Sequence, residues 1–526
     1  MFRIYFVCLV LFSIATFCAA APADEEITTL PNLTEPLRSK HYAGYLNISP
    51  VKQLFYWYVE SEESPETAPL VLWLNGGPGC ASMEGLFIEM GPFRVRNNGE
   101  EVNRNPWTWN RIANIIYLDA PAGVGFSYYN ITKKVFNDDQ VAQDNFDALK
   151  MWFQRFPERK TNDFYIAGES YGGTYVPMLS SLITKANVDF PQFKGMLVGN
   201  GCVDDQINFN TNMMYQYYHA VMDEGNMQNV VSKCCNGALE CDFYTISQQK
   251  SDCGDLVNDL SYSIYYTGYD PYFLYFACYL NPNLPYPPHE EIALPQQSVL
   301  RNHLYKKVTG RKPVEQNVFL PPSEAIHGQP DCASHSDHFP YLNSKEVRKA
   351  LRIPDYIPTY EMCNNEIAEN YVSQYSTMKP FFETVINATK RVAMFNGDAD
   401  TLCNYVENSQ FIYKTLKRTL KTKMTPWNDP NQLPMAVGQV TEYDGITLIS
   451  IKGGGHFPAA TEQKPKETFQ MFQNYIKNQN YSTPVTFDKD YNTSTTVATT
   501  TVITTTQSSS GFNLFVGFLV SLVLTL

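Results

Sequence analysis

The chain is predicted to be an α/β protein: a mostly parallel central sheet with helices on both faces, and a cap inserted over one end. Two observations carry this. Short apolar runs recur along the chain, each stopping at a polar or Gly-rich turn, and one long stretch abandons that rhythm. The runs are Pro69–Leu74 before Asn75-Gly76-Gly77, Asn114–Leu118 before Asp119, Phe164–Ala167 before Gly168, Met196–Val198 before Gly199, Val392–Phe395 before Asn396-Gly397, and Ile446–Ile451 before Gly453. Short runs that are apolar on both faces suit strands of a parallel sheet, which is covered on both sides. Helical pattern fills several intervals, as from Asp138 to Phe156. Parallel sheets present ligand sites at the carboxyl ends of their strands, where the chemically suggestive residues of this chain also fall.

The rhythm fails from about 203 to 343, a stretch with six cysteines, many Tyr and Pro and few strand patterns. An insertion acting as a cap is expected there. Its Cys234-Cys235 doublet, followed by Cys241 and Cys253, reads as local stapling. Cys332-x-x-His335-x-x-His338 has metal-ligand spacing, but no fourth ligand is evident; no metal and no cofactor is expected.

Composition bounds the rest. Across 526 residues, 44% are hydrophobic and 14% aromatic, enough for a large core and too much for a disordered chain. The formal charge of −13, without a long basic run, argues against nucleic acid as a partner. Residues 1–21 read as a secretory signal: Arg3, an apolar run to Phe17, then Ala19-Ala20-Ala21. Of 12 cysteines, Cys8 and Cys18 would leave with it, and ten would mature in an oxidising compartment. Six Asn-x-Ser/Thr sites fit that route: Asn32, Asn47, Asn130, Asn387, Asn480 and Asn492. The main domain is expected over 22–482, a Thr/Ser-rich stalk over 483–510, and a hydrophobic tail over 511–526. The apolar part of that tail, Phe512–Leu526, is shorter than the roughly 20 residues of a membrane span and has no charged residue after it. It reads as a GPI-attachment signal, with a short tail anchor as the alternative.

Gly168-Glu169-Ser170-Tyr171-Gly172 is the only Gly-x-Ser-x-Gly in the chain and directly follows a strand pattern. Its glycines allow a sharp strand-to-helix turn from which Ser170 projects, with the Tyr171 amide facing a developing oxyanion. A serine hydroxyl needs a base. His456, in Gly453-Gly-Gly-His456 after the last strand pattern, is the histidine placed at a strand end. An acid must orient it, and Asn396-Gly-Asp398-Ala-Asp400 offers two candidates that this reasoning does not separate.

At these residues the chain resembles the serine carboxypeptidase family, in particular its cathepsin A branch. The likeness runs from Tyr42 to about Tyr475 through Trp73-Leu-Asn-Gly-Gly-Pro-Gly-Cys80, Gly123-Val-Gly-Phe-Ser-Tyr128, Gly168-Glu-Ser-Tyr-Gly-Gly173 and Tyr341-Leu-Asn-Ser-Lys-Glu-Val-Arg-Lys-Ala-Leu351. The resemblance implies an α/β-hydrolase fold and removal of C-terminal residues from peptides with a free C-terminus, best in mildly acidic solution. It selects Asp400 as the catalytic acid beside Ser170 and His456, and leaves Asp398 a turn or supporting role. It implies an oxyanion hole at Gly77 and Tyr171, and a site for the substrate's carboxylate at Trp73, Asn75, Gly76, Glu89 and Glu169. Clustered acids cannot all ionise, so a protonated Glu can donate to that carboxylate. The implied disulfides are Cys80–Cys363, Cys234–Cys253, Cys235–Cys241 and Cys278–Cys332, with Cys403 as an unpaired thiol; Cys202 has no counterpart.

The chain departs from the family pattern where Gly454 replaces Ala, where Pro458 comes one position early and where Ala81 replaces Ser. Its stalk and tail are additions to a typically soluble, lysosomal or vacuolar family. The expected address is the secretory pathway, lysosomal or extracellular, with possible attachment to the cell surface; the resemblance also admits a homodimer. Acyl transfer to alcohols and a non-catalytic protective or binding role are the competing functions.

Overall fold

All six apolar runs become neighbouring parallel strands. We label the sheet strands β1 Glu26–Ile27, β2 His41–Ser49, β3 Lys52–Val59, β4 Leu70–Leu74, β5 Asn114–Leu118, β6 Phe164–Ser170, β7 Phe193–Gly201, β8 Arg391–Gly397, β9 Leu420–Asn428, β10 Ala436–Tyr443 and β11 Ile446–Ile451. Their order across the sheet is β1-β2-β3-β5-β4-β6-β7-β8-β11-β10-β9, with Tyr128–Tyr129 added beside β3. Every pair from β5 through β4, β6, β7 and β8 to β11 is parallel. The flanks, β1 to β3 on one side and β10 with β9 on the other, pair antiparallel.

This computed structural model describes residues 21–131, 136–261, 263–266, 269–275, 337–430 and 435–485. Residues 1–486 form one unit; a second, Phe487–Leu526, lies outside the described residues. So do signal residues 1–20, most of the stalk, the tail, Cys278, Cys332, His335 and Asn492. Among the described residues no helix is long and apolar enough to cross a membrane.

Burial explains the parallel core. Every residue of β4, β5 and β6 is buried, so both sheet faces are covered. Helix α1, Asp138–Arg155, starts where the Asn137 side chain accepts from the Gln140 amide. Helix α2, Gly172–Lys185, leaves the end of β6 and packs on β6, β7 and α1. After β7 come four helices, Asp205–Tyr218, Glu224–Cys234, Phe243–Ser247 and Asp252–Ser261. They enclose a small core of their own around Met213, Met227, Val230, Phe243 and Val257. The Cys234–Cys253 and Cys235–Cys241 disulfides tie these short helices together.

Candidate active site

Ser170 sits where β6 turns into α2, with a left-handed φ of 60° that few non-glycine residues adopt. The flanking glycines are there because backbones crowd the turn. A Cβ on Gly168 would lie 2.3 Å from the Leu74 carbonyl oxygen, and one on Gly76 would lie 2.4 Å from the Tyr171 amide nitrogen. That closeness brings the Gly76-Gly77 loop beside the serine. Tyr171 is held by its hydroxyl, which donates to Asp138 Oδ1 at 2.8 Å.

His456 and Asp400 meet from the ends of β11 and β8. His456 Nδ1 lies 2.7 Å from Asp400 Oδ2, with both side chains fully buried. Asp400 Oδ2 also accepts from Asn200 Nδ2 at 2.9 Å and the Cys403 amide at 3.3 Å, and Oδ1 accepts from the Leu402 amide at 2.8 Å. With Nδ1 engaged, Nε2 is the imidazole atom left for chemistry; it has no hydrogen-bond partner among the described residues. Asp398 is turned away: its Oδ1 accepts from the Gly453 amide at 2.6 Å and so holds the turn that leads to His456. Segment Pro271–Leu274, from the middle of the expected cap, lies over this couple. The Tyr272 carbonyl accepts from the His456 amide at 2.6 Å, and the two rings meet edge to face with centroids 4.8 Å apart.

A second group of polar side chains lies beneath the Gly76-Gly77 loop. Trp73 Nε1 and the Gly85 amide donate to Asn75 Oδ1 at 2.7 and 3.0 Å, which fixes the orientation of the Asn75 amide. Its Nδ2 therefore points at two acids, donating to Glu89 Oε1 at 3.0 Å and Glu169 Oε1 at 2.8 Å. Burial, then the charge of Glu89, pushes the Glu169 carboxyl well above the usual range. Burial also raises Glu89, against the hydrogen bonds it receives from Glu169 and Asn75. Burial and mutual charge both favour a proton kept on the pair.

Sequence reasoning missed three residues here. Glu84 is buried with Oε2 unpartnered among the described residues, and burial followed by the charge of Glu89 pushes it well up. Arg94 donates to the Glu89 carbonyl, and Asn200 spans Asp400 and the Gly397 carbonyl. Glu84 offered a signal, an acid inside the otherwise apolar Met83–Phe87 segment; Arg94 and Asn200 offered none.

The sulfur chemistry needs one correction. Cys80 and Cys363 are joined as the resemblance implies, but Cys403 is not a free thiol: it pairs with Cys202. The reason is topological. Cys202 follows β7 and Cys403 follows β8, neighbouring parallel strands whose ends bring the two Cα atoms to 4.9 Å. The altered histidine loop also has a local cause. A Cβ on Gly454 would lie 3.1 Å from Pro458 Cβ, so the missing methyl and the early proline accommodate one another. Asn32, Asn47, Asn130, Asn387 and Asn480 are exposed.

A model of the serine carboxypeptidase family matches residues 31–478. The chain is 36% identical to serine carboxypeptidase ctsa-4.1 of Caenorhabditis elegans, over 89% of this chain and 97% of that one. It is 33% identical to the lysosomal protective protein of Mus musculus, over 90% and 98%. Among solved structures it is similar to Kex1Δp, a prohormone-processing carboxypeptidase from Saccharomyces cerevisiae, with a TM-score of 0.64, 19% identity, and 86% and 96% of the two chains covered. That last likeness speaks for the fold. The chain belongs to the serine carboxypeptidase family and is a hydrolase of peptides built on the α/β-hydrolase fold.

Proposed function

We propose that Ser170, His456 and Asp400 carry the carboxypeptidase reaction, and that Asn75, the Gly76 amide, Glu89 and Glu169, braced by Trp73, receive the substrate's terminal carboxylate. The observation that carries this is the buried His456–Asp400 hydrogen bond, which leaves Nε2 as the working atom at the end of the strand next to β8. Ser170 Oγ attacks the last peptide carbonyl while Nε2 takes its proton and Asp400 steadies the imidazolium. The oxyanion is met by the amides of Gly77 and Tyr171. Nε2 then protonates the departing amino acid, and water releases the acyl group from Ser170 by the same steps. The protonated Glu pair makes the enzyme an exopeptidase, because it donates a hydrogen bond where an ionised pair would repel the terminus.

A fluorophosphonate, which traps activated serines, tests the roles. Mass mapping should find the adduct on Ser170, and Asp400→Asn should abolish labelling while Asp398→Asn keeps it. An adduct on another serine, or the reverse behaviour of the two Asp variants, contradicts the assignment.

The address belongs to the same proposal. The signal-like start, the exposed sequons and the disulfides support passage through the secretory pathway to the lysosome or the cell exterior. The Thr/Ser stalk and apolar tail support a GPI anchor. Release from cells by a phosphatidylinositol-specific phospholipase tests the anchor; retention after treatment contradicts it.

A further inference from the structure

Two segments on which the reaction depends are tied by one covalent bond. Cys202 lies just past Gly201, the register partner of Ser170, and its amide donates to the Ser170 carbonyl at 3.1 Å. Cys403 lies three residues beyond Asp400, and its amide donates to Asp400 Oδ2 at 3.3 Å. The Cys202–Cys403 disulfide therefore joins the chain behind the nucleophile to the loop that carries the acid.

A buried polar network runs alongside it. The Glu407 carboxylate accepts from the Val203 amide at 2.8 Å and Asn208 Nδ2 at 2.7 Å, and Asn208 Nδ2 also donates to the Leu402 carbonyl at 2.6 Å. On the other side Asn200 Oδ1 accepts from the Gly397 amide at 2.9 Å while its Nδ2 holds Asp400. The two sulfurs and Glu407 are close enough to suggest a metal site. Sulfurs bonded to each other, however, are not the thiolates that bind metal, so the cluster is a clamp.

We propose that the Cys202–Cys403 disulfide is a positioning element of the hydrolytic reaction: it fixes the Asp400 loop against the strand end behind Ser170. Breaking it lowers turnover and leaves substrate binding intact. Misplacing a reacting group by about 1 Å costs up to roughly 100-fold in rate. The terminal carboxylate, by contrast, is received by Asn75, Glu89 and Glu169, whose hydrogen bonds do not pass through the disulfide. The inference rests on the catalytic roles proposed above.

The test uses the full chain and a Cys202→Ser/Cys403→Ser double variant, with active sites counted by fluorophosphonate titration. Per titrated site, kcat should fall about tenfold and the rate of Ser170 labelling with it, while KM stays within about twofold. A bond that serves folding alone would lower the number of active sites and leave kcat per site at the wild-type value, which would overturn the proposal. Should the variant not fold, dithiothreitol reduces the intact protein. Two electrons and two protons pass from the dithiol, which closes to its cyclic disulfide, and Cys202 and Cys403 become thiols. Alkylation mapping then gives the reduced fraction of this bond. Loss of activity that tracks that fraction supports the clamp, and full activity with the bond reduced overturns it. A wild-type protein that is inactive with Ser170 unlabelled would overturn the catalytic roles and this inference together; an active wild type with an unchanged variant overturns the inference alone.

Discussion

The site holds buried carboxylates in two opposite ways. At one end Asp400 accepts four hydrogen bonds, each from an N–H: His456, Asn200, Leu402 and Cys403. At the other end Glu89 and Glu169 face each other, with one Asn75 amide shared between them. All three are almost wholly withdrawn from solvent, at 0%, 1% and 1% exposure, so burial does not distinguish them. The donors do. A carboxylate ringed by N–H groups orients a base, whereas two acids with too few donors keep a proton and become a donor themselves.

The largest effects should come from breaking the Asp400 end. Asp400→Asn keeps the shape but stabilises the wrong imidazole tautomer, and kcat should fall on the order of 10⁴-fold; Ser170→Ala should fall at least as far. Asp398→Asn disturbs only the Gly453 turn and should cost less than about tenfold. Kinetics on an N-blocked dipeptide would separate these three.

The Glu pair should act on binding and on pH. Its pKa values are raised, so the proton is present in acid and lost as pH climbs through those raised values, leaving negative charge where the substrate's carboxylate is proposed to bind. KM for free-acid peptides should therefore rise from pH 5 to pH 8, on the order of 100-fold, while peptide amides show no such rise. Glu169→Gln cannot ionise and should shrink the rise to about a few-fold. A steep rise that persists in this variant would place the effect elsewhere.

Stability should follow the same sign. Folded-state pKa values are pushed up by burial at Glu84, Glu169 and Glu407, and to about 7 at Asp119 and about 6 at Asp270. A raised folded pKa contributes stability below the unfolded value, near 4, and that contribution is lost as pH rises through the folded value. The melting temperature should accordingly be lower at pH 8 than at pH 5, and Glu84→Gln should reduce the difference.

The smallest predicted effect lies in the histidine loop. Gly454→Ala pushes a methyl toward the Cβ of Pro458 and should cost about 1 kcal/mol, part of it recovered in a double-mutant cycle with Pro458→Gly, which removes that Cβ. Additive costs would show that the two departures are independent.

How much of this was legible depended on burial. The six runs read as strands are the six parallel strands of the main sheet, because a strand covered on both faces is apolar throughout. The flanks were not read. The edge strand β9, Leu420–Asn428, is exposed along most of its length and mixes Lys, Thr and Pro. Strand β2, His41–Ser49, is irregularly buried and loses its alternation. The placement of Ser170 at a strand-to-helix turn and of His456 after the last strand was legible because strand ends and glycine turns leave local marks. Asp400 and Asp398 sit two residues apart on one turn, so only the resemblance chose between them before the His456 contact was in view. Cys202–Cys403 could not be read at all: a bond across 201 residues of sequence depends on which strands become neighbours.

The most direct test is the release of a free amino acid from an N-blocked dipeptide and of an amino-acid amide from its C-terminal amide, from pH 4 to 8, with Ser170→Ala alongside. Cleavage of the free acid should be strongest in mild acid, fade toward pH 8 and vanish in the variant, with the amide lacking that fade. Equal pH profiles for acid and amide, or activity that survives Ser170→Ala, would contradict it.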